Sequence, residues 1–483
     1  MLIPLTSGAY SARSIIANAQ VCKNLVPEGN PKDTTPPVPV THYQRPGKRL
    51  TAIPPTTGPG RGLYRATNGD LYCTIDDIIY FVDSNFVFTA VGNVGHGTSI
   101  ISMADNGQDV GDQICVVNGS SDGWEITMST KAFAAIVDGT GTFVGSNRVD
   151  YLSGYFLFNA PGTPYWYTSL SNSLTFNALD VASKSSYADN IKTLGVRQRE
   201  VWLIGDLTTE PWFLSGAADF AFEAIASTFV SYGCIATYSM CPIDGNLFWL
   251  SQDLKGFGIA VMSDGYNAKR ISTHALEQEW QQYETLEDAV ASSYQIEGHT
   301  FWQISFPTAD KTWVYDLSTQ QWWQSTWVDD DGVEHRDRCA FFAHAYGKVL
   351  GQDWETGLLY EITTEVYTDN GAAIFFRRGF PHILNEMKRM THWSLTVDIA
   401  CGTTEATGDE EDPPLLSMRY SDDRGQTWSD PVTKSMGRIG QYEVSPQFQR
   451  LGMARDRVYE VFWTENLKTS LNGLYLEAEP CET

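Results

Sequence analysis

Short runs of aromatic and β-branched residues alternate with polar, glycine-containing turns from Gly62 to about Thr363. Segments such as 70–83, 155–169 and 300–316 each predict a strand, a turn and a second strand. These units recur every 35 to 55 residues, which is typical of propeller blades, whereas a sandwich would space its turns more evenly. The pattern therefore predicts an all-β chain with a β-propeller of six to eight blades over residues 61–370.

One segment departs from the strand pattern. Between residues 275 and 292, apolar side chains recur near helical spacing among many Glu and Gln residues. We expect a helical insertion between two blades, and its simplest role is to cover an edge of the propeller.

The two ends of the chain differ from the middle. Residues 1–60 are rich in proline and glycine, which predicts an extended N-terminal arm with few regular elements. From about Ala373, alternating strands surround a charged loop at 409–414, which predicts a C-terminal β-sandwich-like domain over 371–483.

The chain is strongly acidic. Its 483 residues include 58 Asp and Glu against 33 Lys and Arg, a formal net charge of −25. Binding to nucleic acid through phosphate neutralisation needs clustered basic residues, so this charge argues against it. Two interpretations stay open: an acidic wall past which duplex DNA slides without tight binding, and a surface whose charge only confers solubility.

The cysteines and the hydropathy of the chain indicate the cellular compartment in which the protein is made. None of the eight cysteines forms a CxxC pair, so we expect free thiols and neither zinc nor a dense disulfide framework. The N-terminus has no basic segment before its short apolar run, and no stretch is long enough to span a membrane. The sequence therefore predicts a protein made in the cytosol.

The most specific short motif is an Asp-box, S-x-D-x-G-x-T-W, formed by Ser421, Asp423, Gly425, Thr427 and Trp428. In such a hairpin the carboxylate accepts hydrogen bonds from the turn, and the glycine adopts positive φ. Trp428 is expected to pack back onto the hairpin. A single copy indicates a structural staple, because a sialidase would need several copies and an arginine cluster that binds a carboxylate.

Three other sequence features resemble catalytic or metal-binding motifs but do not fit them. The G-x-S-x-G match at 119–123 lies between two predicted strands, whereas a nucleophile elbow lies between a strand and a helix. The acidic run 329–334 lacks the spacing of a calcium loop, and the histidines lack metalloenzyme spacing. We therefore predict no catalytic, cofactor-binding or metal-binding residues, and no cofactor.

Two longer stretches resemble a known family. Residues 3–28 resemble the opening of the packaged-DNA stabilisation proteins, the tail-hub or head-completion family of short-tailed bacteriophages. The matching residues are Gly8, Ala9, Tyr10, Ala12, Arg13, Ser14, Asn24, Leu25, Pro27 and Glu28. Val26 stands where the family has an aromatic residue.

The second stretch, 298–325, is similar to a central hairpin of that family. The matching residues are Gly298, His299, Phe301, Phe306, Pro307, Thr312, Trp313, Val314, Tyr315, Asp316, Thr319 and Trp322. The C-terminal region around the Asp-box also suits the family. No catalytic residue is carried over by the resemblance.

The resemblance implies a structural virion protein and not an enzyme. It implies a homohexameric ring below the portal and its adaptor ring, which continues the DNA channel, retains packaged DNA, and docks a tail needle or plug and tail spikes or fibres. Two alternatives stay open. One is a sialidase-like glycan hydrolase built on a propeller, and the other is a receptor-binding protein whose sandwich holds a glycan on exposed Trp or Tyr.

Overall fold

The structure is a computed structural model. It describes residues 2–3, 5, 20–30, 39–400 and 413–481, except positions 185, 188, 218, 227, 229, 254, 439 and 442. Within these residues it contains 45 strands, one α-helix and one 3-10 helix. The predicted all-β class is confirmed.

Five separate four-stranded antiparallel sheets follow one another along the chain. Blade 1 contains β6 (Gly60–Arg65), β7 (Leu71–Ile75), β8 (Ile78–Val82) and β9 (Phe88–Asn93). Blade 2 contains β10 (Ser102–Asp105), β11 (Gln113–Val117), β12 (Gly123–Thr127) and β13 (Phe133–Ala135). Blade 3 contains β14 (Val149–Leu152), β15 (Tyr155–Asn159), β16 (Tyr165–Thr168) and β17 (Val181–Ser183). Blade 4 contains β18 (Ile191–Arg197), β19 (Glu200–Gly205), β20 (Thr209–Leu214) and β21 (Phe222–Ala224). Blade 5 contains β22 (Cys241–Ile243), β23 (Asn246–Gln252), β24 (Gly258–Asp264) and β25 (Asn267–Arg270).

Two further four-stranded units belong to larger sheets. Blade 6 contains β26 (Val290–Ile296), β27 (His299–Phe306), β28 (Lys311–Asp316) and β29 (Gln321–Gln324). Blade 7 contains β32 (Cys339–Ala345), β33 (Lys348–Asp353) and β34 (Leu359–Thr363), with the N-terminal strand β5 (Gly47–Ala52) as its fourth strand. The hairpin of β30 (Thr326–Val328) and β31 (Glu334–Arg336) separates the two blades. The described residues thus form seven four-stranded units, within the predicted range.

The first strand of blade 7 packs against the first strand of blade 1, so the units close into a ring. Between blades, apolar side chains from facing sheets form the core, as Tyr72 and Ile79 of blade 1 do with Ile114 and Val116 of blade 2. The middle strands are buried on both faces and therefore read as continuous apolar runs in the sequence.

The C-terminal domain is a sandwich whose two sheets both include N-terminal strands. One sheet contains β1 (Leu2–Ile3), β3 (Leu25–Gly29), β4 (Val40–Gln44), β39 (Met390–Ala400), β42 (Gln447–Gln449), β43 (Met453–Ala454) and β45 (Ser470–Pro480). The other contains β2 (Cys22–Lys23), β37 (Phe376–Gly379), β38 (Ile383–Leu384), β40 (Leu415–Ser421), β41 (Val432–Ser435) and β44 (Asp456–Trp463). Between blade 7 and the sandwich, the short strands β35 (Thr368–Asp369) and β36 (Ala372–Ala373) add to β5.

The N-terminal region differs from the predicted extended arm. Where the structure describes residues 1–60, they contribute strands to both domains: β3 and β4 join the sandwich, and β5 closes blade 7. The physical reason is that Leu25 and Val26 are fully or almost fully buried in the common core, which the surrounding proline-rich composition hides at the sequence level. The charged loop at 409–412 and the family-like residues 8–14 lie outside the described residues.

The predicted helical insertion is present but shorter. Helix α1 (His274–Trp280) lies between blades 5 and 6, and the Thr273 side chain caps its N-terminus by accepting from the Leu276 amide at 3.3 Å. Leu276 and Trp280 are buried in the core. The helix ends there because the chain turns after Gln281 to bring Leu286 into that core and to start β26 at Val290.

Candidate functional site

Where the propeller meets the sandwich, charged side chains are buried. We call Asn24, Arg45, Lys48, Asp337 and Asp369 the junction cluster; each is at most 6% exposed. Arg45 donates to both carboxylate oxygens of Asp369, at 3.0 and 2.5 Å. Lys48 bridges the two carboxylates, at 3.0 Å from Asp337 and 3.1 Å from Asp369. The cluster joins N-terminal strands, the segment between blades 6 and 7, and the segment leading to the sandwich.

Asn24 fixes this arrangement. Its backbone has φ of 58°, a left-handed conformation that Asn tolerates better than most residues. Its side-chain oxygen accepts from Arg45 Nε at 2.8 Å and from the Thr326 amide at 2.9 Å. Its Nδ2 donates to the Phe375 carbonyl at 2.9 Å, so one side chain contacts three parts of the chain.

The charges in the cluster depend on one another. Burial alone would raise the pKa of Asp369, yet the neighbouring Arg45 and Lys48 charges lower that pKa to about 2. Burial works against the charged form of Arg45, but the Asp369 carboxylate raises the Arg45 pKa overall. Removal of one member would therefore leave an uncompensated buried charge, which is costly.

Sequence reasoning did not find this cluster. Arg45 and Asp369 are separated by 324 positions, and neither lies in a recognisable motif. The sequence points to one member of the cluster, because Asn24 lies in the family-like segment 3–28. It does not indicate which residues Asn24 contacts.

The Asp-box residues lie together in the turn between β40 and β41. Asp423 Oδ1 accepts from the Ser421 hydroxyl at 2.7 Å and from the Thr427 amide at 2.8 Å. Asp423 Oδ2 accepts from the Thr427 hydroxyl at 2.6 Å, and the Gly425 amide donates to Ser421 Oγ at 2.7 Å. The hydrogen bonds from Thr427 and Ser421 lower the pKa of Asp423 to about 2. The predicted turn geometry is present, whereas the staple role of these residues stays a prediction.

Trp428 is only half-buried, which differs from a side chain packed fully into a core. The Arg419 guanidinium lies over its ring at 4.8 Å. The ring also lies close to Gly425: a Cβ atom added to this glycine would be 4.0 Å from Cζ2 of Trp428, which is an ordinary van der Waals contact. The ring therefore covers the turn from outside instead of filling the sandwich.

A cavity of about 220 Å³ lies beside the junction, between the β3–β4 hairpin, the β26–β27 turn and the sandwich. His299 lines it and donates from Nδ1 to the fully buried Asp316 at 2.7 Å. Its Nε2 lies 3.9 Å from the Glu28 carboxylate of the N-terminal hairpin. The hydrogen bond with Asp316 and the surrounding carboxylates raise the pKa of His299. Both His299 and Glu28 belong to the family-like segments, and the fold brings them together.

The remaining sequence motifs occupy turns. Gly119, in the G-x-S-x-G match, has φ of 83° in the turn between β11 and β12. Asp329 accepts from the Val333 amide at 2.7 Å in the β30–β31 hairpin. In the part of the chain that the structure describes, no group of three or more His, Cys, Asp or Glu residues could hold a metal ion. The seven cysteines described there are free, and Cys401 lies outside the described residues.

The acidic charge is concentrated in the propeller. Residues 60–363 contain 37 Asp and Glu against 15 Lys and Arg, whereas residues 1–59 contain two acidic and six basic residues. In the described part of the chain, no helix is long and apolar enough to cross a membrane.

Comparisons with known protein families match a propeller and a sandwich in this chain. Residues 1–367 match the family model described as bacteriophage P22 Gp10, beta-propeller, and residues 376–479 match the one described as bacteriophage P22 Gp10, beta-sandwich. No curated protein matches the chain.

Similar solved structures include the WD40 beta-propeller domain of Doa1, at 10% identity and a TM-score of 0.41, with 66% of this chain and 97% of that chain covered. They also include YCF48 bound to D1 peptide, at 13% identity and a TM-score of 0.41, with 68% of this chain and 100% of that chain covered. The two family matches together span nearly all of the sequence, and the chain therefore belongs to the bacteriophage P22 Gp10 family of tail-hub proteins, structural components of the phage tail.

Proposed function

We propose that this chain is a subunit of a homohexameric tail-hub ring that lies below the portal and its adaptor ring. The ring continues the DNA channel, retains packaged DNA, and docks a needle or plug and tail spikes or fibres. The observation that carries the proposal is that both domains match one tail-hub family. The chain assembles in the host cytoplasm and then remains in the virion tail.

The construction of the chain supports a scaffold role. The N-terminal strands lock the propeller to the sandwich through the sheet that continues from β29 into β2, and through the junction cluster. A ring that withstands the pressure of packaged DNA needs subunits whose domains do not separate easily. The four hydrogen bonds of the Asp-box are made within its own turn, which supports a structural use of that motif as well.

The charge distribution supports passage of DNA without tight binding. The propeller carries 37 acidic and 15 basic residues, so a channel wall built from it would offer few positions for phosphate neutralisation. Retention of DNA is therefore steric in this proposal, through a plug or constriction.

The experiment is a phage with a nonsense mutation in the gene for this chain. Particles formed without the chain are expected to package DNA and then lose it, measured as DNase-sensitive DNA after head filling. Supply of the wild-type chain in trans restores retention, and supply of the surface variant Lys388→Ala serves as a matched control that also restores it. Particles that lack the chain and still hold DNase-resistant DNA would contradict the proposal.

A further inference from the structure

A lysine side chain is completely buried where the chain crosses from blade 3 to blade 4. Lys184 follows β17, and Asp189 precedes β18. The Lys184 side chain is 0% exposed, the Asp189 side chain is 4% exposed, and Lys184 Nζ contacts Asp189 Oδ1. Lysine is almost never buried to this extent unless it is paired. The crossover therefore encloses an amine and a carboxyl group in direct contact.

The turn between β19 and β20 fixes the orientation of the Asp189 carboxyl group. Asp189 Oδ2 accepts hydrogen bonds from the Leu207 amide at 2.8 Å and from the Thr208 amide at 3.0 Å. Two backbone amides that point at one oxygen form the arrangement that stabilises the negative charge of a tetrahedral intermediate. The turn thus supplies what an attack on this carboxyl carbon needs.

The Thr208 hydroxyl connects the amine to the carboxyl group. Lys184 Nζ donates to Thr208 Oγ1 at 2.5 Å, and Thr208 Oγ1 donates to Asp189 Oδ1 at 3.2 Å. A hydroxyl that accepts from one group and donates to the other can pass a proton between them. Thr208 is itself only 6% exposed, so this route is shielded from bulk water.

Gly205, the last residue of β19, makes room for the pair. A Cβ atom added to this glycine would lie 2.4 Å from Asp189 Oδ2 and 2.7 Å from Lys184 Nζ. The backbone of Gly205 is not left-handed, so its conformation does not require glycine. The contact with the buried pair is what excludes a side chain at this position.

Two other contacts between a lysine and a carboxylate show what distinguishes this site. Lys131 contacts Asp70, but these side chains are 26% and 24% exposed, so water reaches both. Lys48 is buried, but it divides its hydrogen bonds between two carboxylates of the junction cluster. Lys184 pairs with one carboxylate in a site that is closed to water.

Burial makes the ion pair a costly state. Removal of two charges from water costs much of the free energy that their attraction returns. Condensation to an amide eliminates both charges, and the oxygen that remains on the carbon keeps its two amide donors. The fixed contact also replaces a collision between two molecules by a reaction within one.

We propose that Lys184 and Asp189 condense spontaneously to an intramolecular isopeptide bond that ties blade 3 to blade 4. A proton passes from Nζ through the Thr208 hydroxyl to Oδ1, and the freed lone pair of Nζ attacks Cγ. The bond between Nζ and Cγ forms, and the bond between Cγ and Oδ1 breaks. Oδ1 leaves as water with two of the three ammonium protons, and the third stays on the amide nitrogen. The step needs no oxidant or cofactor, and the inference does not depend on the proposed tail-hub function.

The test is mass spectrometry of the purified full-length chain. We expect the denatured chain to be lighter than its sequence by one water molecule, and tandem spectra to show Lys184 and Asp189 joined through their side chains. Trypsin should not cleave after Lys184, because acylation removes the charge of the amine.

Three variants locate the bond. Lys184→Arg keeps a positive charge but removes the amine, and Gly205→Ala pushes the pair apart, so both variants should have the full mass of their sequences. Lys131→Arg is the matched control, because it alters a contact that is open to water. This control should still lack one water molecule.

A wild-type chain that unfolds cooperatively and has the full mass of its sequence would overturn the inference, because the pair is then an ordinary buried salt bridge. The inference also fails if the loss of water persists in Lys184→Arg. It fails as well if tandem spectra assign the loss elsewhere, for example to a succinimide at Asp264 before Gly265. The mass and the tandem spectra of the wild-type chain decide the matter even if a variant does not fold.

Discussion

Asp369→Ala tests the junction cluster most sharply. The substitution removes a carboxylate that accepts two hydrogen bonds from Arg45 and one from Lys48 in a site that is 6% exposed. Arg45 is then left buried with one charge uncompensated, whereas Lys48 keeps Asp337 at 3.0 Å. Loss of one partner of a buried pair costs about 3–5 kcal/mol, and we expect a destabilisation in that range.

The assay is denaturant unfolding of the full chain followed by tryptophan fluorescence, together with hydrogen exchange at β5 and β35. Glu386→Ala is the control, because its pair with Lys388 is exposed and should contribute at most about 1 kcal/mol. The double variant Arg45→Met, Asp369→Leu should recover most of the loss, since it leaves neither member of that pair as an isolated charge. If Asp369→Ala is no more destabilising than the control, the cluster does not hold the domains together.

Four further predictions follow from particular contacts. Trp428→Ala should cost about 1–2 kcal/mol in thermal unfolding, because its ring is half-buried, whereas the buried Trp463 should cost about 3–5 kcal/mol when replaced by Ala; equal losses would refute this. The pKa of His299 is higher in the folded chain than in the unfolded chain, where it is about 6.5, so the protonated imidazole stabilises the fold. This contribution to the free energy of unfolding is complete below the unfolded pKa and is lost as pH rises through the folded pKa of His299. The melting temperature should therefore fall as pH rises from neutral into the mildly alkaline range. His299→Gln should make that slope shallower, and the remainder belongs to groups such as His335, whose pKa is also raised. Deletion of residues 1–52 removes β5, the fourth strand of blade 7, and should abolish cooperative unfolding of the propeller. A folded propeller by circular dichroism and calorimetry would contradict the view that blade 7 depends on β5. The assembled ring should bind duplex DNA weakly even at low salt, and tight binding with a steep salt dependence would contradict the charge argument.

The blade pattern could be predicted from the sequence because each blade is local. Strands such as β27 and β28 follow one another along the chain and pair with each other. The alternation of apolar runs and turn residues in the sequence therefore predicts them directly. The turn of the Asp-box could also be predicted from the sequence, because its hydrogen bonds join residues at most four positions apart.

The junction could not be predicted in this way. β5 pairs with β34 across more than 300 positions, and β4 pairs with β45 across more than 400. These contacts leave no local periodicity, and the proline-rich composition around them is typical of an extended arm. The half-exposed position of Trp428 also depends on register and packing, which a single sequence does not specify.

The measurement that tests the central claim most directly is a cryo-EM map of the intact virion tail at a resolution that shows side chains. The account predicts six copies of this chain in a ring below the portal and adaptor, with Asp369 and Arg45 paired in every subunit and no ring of Lys and Arg around the channel. A map that places the chain outside the portal axis, for example at a fibre tip, or that shows the DNA path lined with basic residues of this chain, would contradict it.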